Sequence, residues 1–278
     1  MLDRTELVGP WAGLPVAWDA NLDFDEDTYR ADVEKTAKAG VPGIYTAGTT
    51  GEFYAMEFDE WQAVTRATVE ECHRYGTPAM IGVTSTYTRG AVRRAAYAAE
   101  VGADAIQLAL PFWMEVEDED VVPFFRAVAS ACPNLAVTLY ETQRCKKTLT
   151  VEQHRAIADA AGSYLAVKAN ADTVGRTPAG CAALSEFINV WVGENCWSEL
   201  GPHGANGCAS SLVYMNPRLL LSMFELLRAG NWSELASQCA NIDRLFNEGF
   251  NTLFAGRRFT DTAEDRLSGV VTGFLRMH

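Results

Sequence analysis

Lys168 ends the apolar run Tyr164-Leu165-Ala166-Val167, so its amine sits where an apolar strand runs out. A charged amine is costly in such surroundings, which makes a neutral, nucleophilic amine accessible. The alternative is a strand-end lysine that snorkels to water or pairs with a carboxylate. Tyr140 ends the run that begins at Leu135. A phenol there can pass a proton if a neighbouring hydroxyl tunes it, and the plainer reading is a core tyrosine with a satisfied hydroxyl. Gly48-Thr49-Thr50-Gly51 offers successive N–H groups and two hydroxyls just before a helix. That combination holds a carboxylate or phosphate without a cationic side chain, although a glycine-rich connecting turn would read the same. It lacks the lysine of a P-loop and the spacing of a dinucleotide fingerprint, so nucleotide binding is not expected. Glu52 is expected to brace this loop rather than act on a ligand.

Other chemistries find less support. Histidines 73, 154, 203 and 278 are far apart and form no HxH or HExxH pattern, so no metal site is expected. His203 is the one histidine whose position suggests the active face. Net charge is −13, and no basic cluster is denser than Arg257-Arg258 or Lys146-Lys147. Nucleic acid and anionic membranes both demand a concentrated cationic footprint, so neither is an expected partner. No apolar run approaches the roughly 20 residues that span a bilayer, and the N-terminus does not read as a signal peptide. The seven cysteines are scattered, odd in number and never paired as CxxC. Reduced thiols in a cytoplasmic protein fit that usage, which makes Asn231-Trp232-Ser233 a chance sequon.

The elements that must position these residues alternate along the chain. Short apolar runs begin at Ala12, Gly43, Ala79, Ala105, Leu135, Tyr164, Ile188 and Gly204. Most are too uniformly apolar for a half-exposed strand, as strands of a fully covered parallel sheet are. Amphipathic segments with helix-end signals separate them: Asp25, Thr88 and Asp118 as caps, Thr150 with Gln153 as a capping box, and Thr177 before Pro178. Strand starts lie mostly about 30 residues apart, as a βα unit requires. Eight such units predict an α/β fold, a (β/α)₈ TIM barrel over residues 1–228, with a C-terminal helical extension over 229–278 packed on it. The seventh helix, around Cys196 to Leu200, should be short. Helices are expected over Pro217 to Arg228, Trp232 to Phe246 and Thr262 to Leu275. Chemistry in such a barrel sits at the C-terminal strand ends. That rule selects the loop at Gly48 to Glu52, Pro111-Phe112-Trp113, Tyr140, Lys168 and the region of Ser210.

In this register the chain resembles the dihydrodipicolinate synthase and N-acetylneuraminate lyase superfamily of class I aldolases. The resemblance runs from about Trp11 to Asn231. It is carried by AGTTGEF (Ala47 to Phe53), LYE (Leu139 to Glu141) and AVKA (Ala166 to Ala169), together with Gly193-Glu194 and Gly204 to Ser210. It implies that Lys168 attacks the ketone of pyruvate or a related 2-oxo acid to form an iminium, and that Tyr140 relays protons. Thr49, Thr50 and Gly51 would hold the carboxylate, with no metal or organic cofactor required. It also implies a homotetramer whose partner is a small-molecule substrate. Three departures stand out. Trp113 replaces a second relay tyrosine, Cys145 replaces a substrate-binding arginine with Arg144 one position early, and Glu141-Thr142-Gln143 replaces the usual Asn-x-Pro. Cleavage or dehydration of a 2-keto-3-deoxy sugar acid is the expected activity. Gly193, Glu194 and Ser210 would then meet the sugar side and Trp113 the distal part of the substrate. Hydration and aldol cleavage of an arylidene-pyruvate, dihydrodipicolinate synthesis, and a 2-oxo-acid sensor on an aldolase scaffold are the alternatives.

Overall fold

Eight short parallel strands close on themselves in chain order: β1 (Gly9–Gly13), β2 (Ile44–Thr46), β3 (Ala79–Gly82), β4 (Ala105–Leu108), β5 (Ala136–Glu141), β6 (Tyr164–Ala169), β7 (Asn189–Trp191) and β8 (Ala205–Ser210). The computed structural model describes residues 1–250, 252 and 260–276. Arg257, Arg258 and His278 lie outside the described residues.

Helices α1 (Glu26–Lys38), α2 (Phe58–Arg74), α3 (Thr88–Glu100), α4 (Asp118–Ala131), α5 (Val151–Ala160), α6 (Pro178–Ser185), α7 (Trp197–Leu200) and α8 (Pro217–Ala229) cover the barrel. Their ends follow local chemistry. Asp25 accepts from the Thr28 N–H, Thr150 and Gln153 form a capping box, and Thr177 caps a helix that starts on Pro178. Thr88 and Asp118 are the first helical residues, not caps; the cap positions fall one residue earlier, on Tyr87 and Glu117. α7 is a single turn, as the short interval before β8 demands.

The first strand lies earlier than its apolar run. The run from Ala12 to Trp18 suggests a strand there, but pairing with β2 ends where Leu14 N–H donates to the Tyr45 carbonyl. Pro15 follows, and without an N–H it cannot extend the ladder. Leu14, Val16 and Ala17 are apolar because they are buried in the core beyond the strand.

Two tryptophans fill the barrel interior. Trp11 and Trp191 lie with ring centroids 5.7 Å apart, opposite Ala105, Ala136 and Ala166 from β4, β5 and β6. Small residues make room for them. A Cβ at Gly43 would fall 2.4 Å from the Trp11 ring, and one at Gly207 would fall 2.4 Å from Trp191 Nε1. The interior is thus a packed floor, and only its upper layer is free for chemistry.

Beyond α8 the chain turns at Gly230, which has a φ of 66°. It continues through α9 (Trp232–Arg244), whose last turns become π-helical over Leu245–Phe250. A last helix, α10 (Asp261–Val271), lies over the C-terminal mouth of the barrel. It is tied down by Thr262 Oγ1 donating to the Thr49 carbonyl (2.9 Å), Arg266 donating to the Val16 carbonyl (2.9 Å) and the ion pair Arg266–Glu52. Among the described residues no helix is long and apolar enough to cross a membrane.

Candidate active site

Tyr140 and Lys168 are neighbours across β5 and β6, Cα partner to Cα partner in the parallel register. Alternation along each strand sends both side chains into the barrel, above Thr138 and Ala166 respectively. The Lys168 Nζ stands 4.5 Å from the centre of the Tyr140 ring, and both residues are half-buried. Their separation of 28 residues (140 to 168) is one βα unit, so sequence spacing becomes side-by-side placement.

The two residues line a cavity of about 180 Å³ whose walls include Thr49, Thr50, Tyr45, Gln107, Ser210, Ser211 and Asp265. This chamber is mostly polar. A second cavity of about 510 Å³ adjoins it, sharing Thr49, Tyr140 and Asp261. Phe53, Tyr54 and Phe112 dominate its wall, with the Phe53 and Phe112 rings edge to face at 6.0 Å. A small polar chamber at the amine therefore opens into a larger apolar vestibule.

The loop after β2 reaches the chamber because its neighbours lack side chains. A Cβ at Gly82 would lie 1.9 Å from the Ala47 carbonyl oxygen, one at Gly48 would lie 1.8 Å from the Tyr45 hydroxyl, and one at Gly51 2.5 Å from the Ala47 nitrogen. Ala47 and Glu52 both hold a left-handed backbone, φ 55°, a strained state for non-glycine residues that surrounding contacts must enforce. Glu52 supplies those contacts, accepting from Trp18 Nε1 at 2.9 Å and pairing with Arg266.

The structure brings Lys168, Tyr140, Thr49, Thr50 and Ser210 to one chamber. Gly51 stands behind it as a spacer. Glu194 does not line the chamber; it accepts from Ser210 Oγ at 2.7 Å and so orients a residue that does. Burial raises the Glu194 carboxyl, while the Ser210 hydroxyl and the Lys168 charge pull it back. Gly193 is exposed and off both cavities, and Asn195 is engaged with Asp243 at 2.8 Å. Trp113 also lies off both cavities, 73% exposed, because Phe112 is the residue of that loop that turns inward. Arg144 reaches the vestibule but is paired with Asp261 at 2.8 Å. Cys145 is buried, with its sulfur 3.1 Å from the Leu110 carbonyl, and burial pushes its thiol up to about 11. His203 sits just before β8, at the N-terminal strand ends, which places it on the face opposite the chamber. Among the described residues no three His, Cys, Asp or Glu side chains are grouped to hold a metal ion.

Several lining residues carry no motif in the sequence, and Tyr45, Gln107 and Asp265 are the most telling of them. Tyr45 and Gln107 occupy inward positions of β2 and β4, and a glutamine inside the apolar run AIQLAL is a signal that alternation makes legible. Gln107 is 1% exposed and its Oε1 has no hydrogen-bond partner among the described residues. Asp265, on α10, carries no local signal, since only the docking of that helix brings it to the mouth. It accepts from Thr50 Oγ1 at 2.6 Å. Burial raises its carboxyl to about 6, against the opposing pull of the Thr50 and Ser211 hydroxyls and of Lys168.

The structure is a closed parallel barrel with Lys168 and Tyr140 side by side at its C-terminal mouth. Residues 9–257 match the dihydrodipicolinate synthetase family, and the chain belongs to that family. It is 30% identical over 213 residues to a 4-hydroxy-tetrahydrodipicolinate synthase of Rhizobium meliloti (strain 1021), covering 76% of this chain and 71% of that one. It is also 30% identical over 146 residues to a trans-O-hydroxybenzylidenepyruvate hydratase-aldolase of Pseudomonas aeruginosa, covering 50% of this chain and 43% of that one. A solved structure described as PhdJ bound to substrate intermediate superposes with a TM-score of 0.85 at 22% identity, over 99% of this chain and 89% of that one. The chain is accordingly an enzyme of a lyase and aldolase superfamily.

Proposed function

We propose that Lys168 forms a Schiff base with a pyruvate-type 2-oxo acid and that the enzyme hydrates and cleaves an arylidene-pyruvate. The supporting observation is the aromatic vestibule of Phe53, Tyr54 and Phe112 opening directly on the Lys168 chamber. An aryl group suits that wall, since ring faces and edges pair favourably at such distances. The sugar-acid reading has less support because Gly193, Glu194 and Asn195 line neither cavity and the surface of the vestibule is mostly apolar. Aspartate semialdehyde carries its own carboxylate, and Arg144, already paired with Asp261, is poorly placed to receive it.

The Lys168 amine adds to the C2 ketone, and loss of water leaves an iminium conjugated to the C3–C4 double bond. Water adds at C4 with a proton at C3, giving an aldol. Breaking the C3–C4 bond releases an aryl aldehyde and leaves an enamine, because the iminium accepts the electron pair. Protonation at C3 and addition of water to C2 free pyruvate and the amine. Tyr140, beside Lys168, moves the protons. Thr49, Thr50 and their N–H groups hold the carboxylate.

A panel settles the substrate class: arylidene-pyruvates, 2-keto-3-deoxy sugar acids, and pyruvate with aspartate semialdehyde, each followed by pyruvate formation or consumption. Turnover of the arylidene-pyruvates alone is expected. Turnover of only the sugar acids or only the semialdehyde would overturn the aryl assignment.

We also propose a homo-oligomer, a tetramer as the family resemblance implies. Trp232 and Leu245 are 36% and 41% exposed on the C-terminal helices and remain available for contact, whereas Leu235 is already buried within the chain. Light scattering at micromolar concentration tests this, and a monomer would contradict it. A reducing, cytoplasmic setting is supported by the seven cysteines, all free and buried.

A further inference from the structure

The seat proposed for the substrate carboxylate already holds a carboxylate. Thr50 Oγ1 donates to Asp265 Oδ2 at 2.6 Å, and both residues line the same chamber as Lys168. Asp265 is not there by accident of a loose helix. One turn earlier Thr262 bonds the Thr49 carbonyl, and the next residue, Arg266, is fixed by Glu52 and the Val16 carbonyl. These contacts bracket Asp265 and aim it at the hydroxyl.

Building on the Schiff-base reading, we propose that Asp265 is a specificity-determining, positioning residue: it occupies the carboxylate seat at Thr50, and a 2-oxo acid enters that seat only as Asp265 takes up a proton. Two carboxylates at one partly desolvated site cannot both stay ionised. Once protonated, Asp265 turns from competitor to donor and adds a charge-assisted hydrogen bond to the ligand carboxylate. The groups facing it are consistent with that role. Lys168 from β6 is the facing cation. Asp261, one turn back on α10, opposes ionisation and is itself held by Arg144, while Arg266 is turned away to Glu52. Tyr45, Tyr140 and the Ser211 hydroxyl complete the chamber wall, with the buried Tyr214 behind it. Burial raises the Asp265 carboxyl to about 6, so proton uptake is within reach at physiological pH. Binding of a 2-oxo acid then weakens by about tenfold for each pH unit above that value. A ketone without a carboxylate is spared the linkage.

The test compares pyruvate with its methyl ester in the whole enzyme. Each is trapped by cyanoborohydride at low ligand concentration from about pH 6 to about pH 8, and the adduct at Lys168 is quantified by peptide mass. Taking the ratio cancels whatever pH dependence the amine itself has. The pyruvate-to-ester ratio should fall by about tenfold per pH unit in the wild type, and should be flat in Asp265→Asn. A flat ratio in the wild type overturns the proposal whether or not the variant folds. A falling ratio that persists in a folded Asp265→Asn overturns it as well. Absence of any Lys168 adduct from either ligand refutes the underlying Schiff-base reading and this inference with it, so the two failures are told apart.

Discussion

Replacing Asp265 by asparagine removes a partly buried carboxyl while keeping an acceptor for the Thr50 hydroxyl 2.6 Å away. In the folded chain burial lifts that carboxyl from 3.8 to about 6. A folded-state value above the unfolded one means that the protonated form is the one folding favours. Below about pH 4 the residue carries no electrostatic penalty. Between about pH 4 and pH 6 the unfolded chain ionises first, so wild-type stability falls, and above about pH 6 the loss is complete. The rise corresponds to roughly 3 kcal/mol. Residual solvent contact screens the group, and about 2 kcal/mol is the expected figure. Urea unfolding of both proteins at several pH values from about 4.5 to about 8 measures the difference in stability at each. Asp265→Asn should gain on the wild type by about 1 kcal/mol across that range, the part of the loss that falls above about pH 4.5, with the change confined to the interval below about pH 6.5. A stability difference that stays constant with pH would refute the assigned environment of Asp265, whatever its size.

Two further substitutions probe the site from other sides. Tyr140→Phe should keep the fold and lower kcat by about 10²- to 10⁴-fold, the usual contribution of a general acid–base group; steady-state turnover near the wild-type value would reduce Tyr140 to packing. Gly82→Ala would drive a methyl to within 1.9 Å of the Ala47 carbonyl oxygen, a backbone atom that cannot swing aside. It should cost about 1–3 kcal/mol in urea unfolding and raise KM for the 2-oxo acid by shifting the loop that carries Thr49 and Thr50, and an unchanged KM would show that the loop does not bind substrate.

How much of this was legible in the sequence depends on the range of the interaction. Strand positions β2 to β8 follow from apolar runs, because a parallel sheet buried on both faces needs uninterrupted apolar residues. The run at Ala12 misplaced β1, since the residues after Pro15 are apolar for burial in the core rather than for pairing. Tyr140 beside Lys168 was legible because both end a strand one βα unit apart. Trp113 and Glu194 line neither cavity, and a short loop sequence does not reveal which side chain turns in. Phe112 does, and Ser210 stands between Glu194 and the chamber. Asp265 was invisible for a stronger reason. Its helix reads as an ordinary amphipathic segment, and only the long-range anchors at Thr49, Val16 and Glu52 place it over the mouth.

The central claim is that the Lys168 amine makes the covalent bond to substrate. Incubating the enzyme with pyruvate, reducing with borohydride and mapping the modified peptide by mass spectrometry tests it directly. Reduction of the imine should leave a carboxyethyl group on Lys168, and Lys168→Ala should show none. An unmodified Lys168 in active wild-type enzyme, with adduct on another lysine or nowhere, would contradict the account.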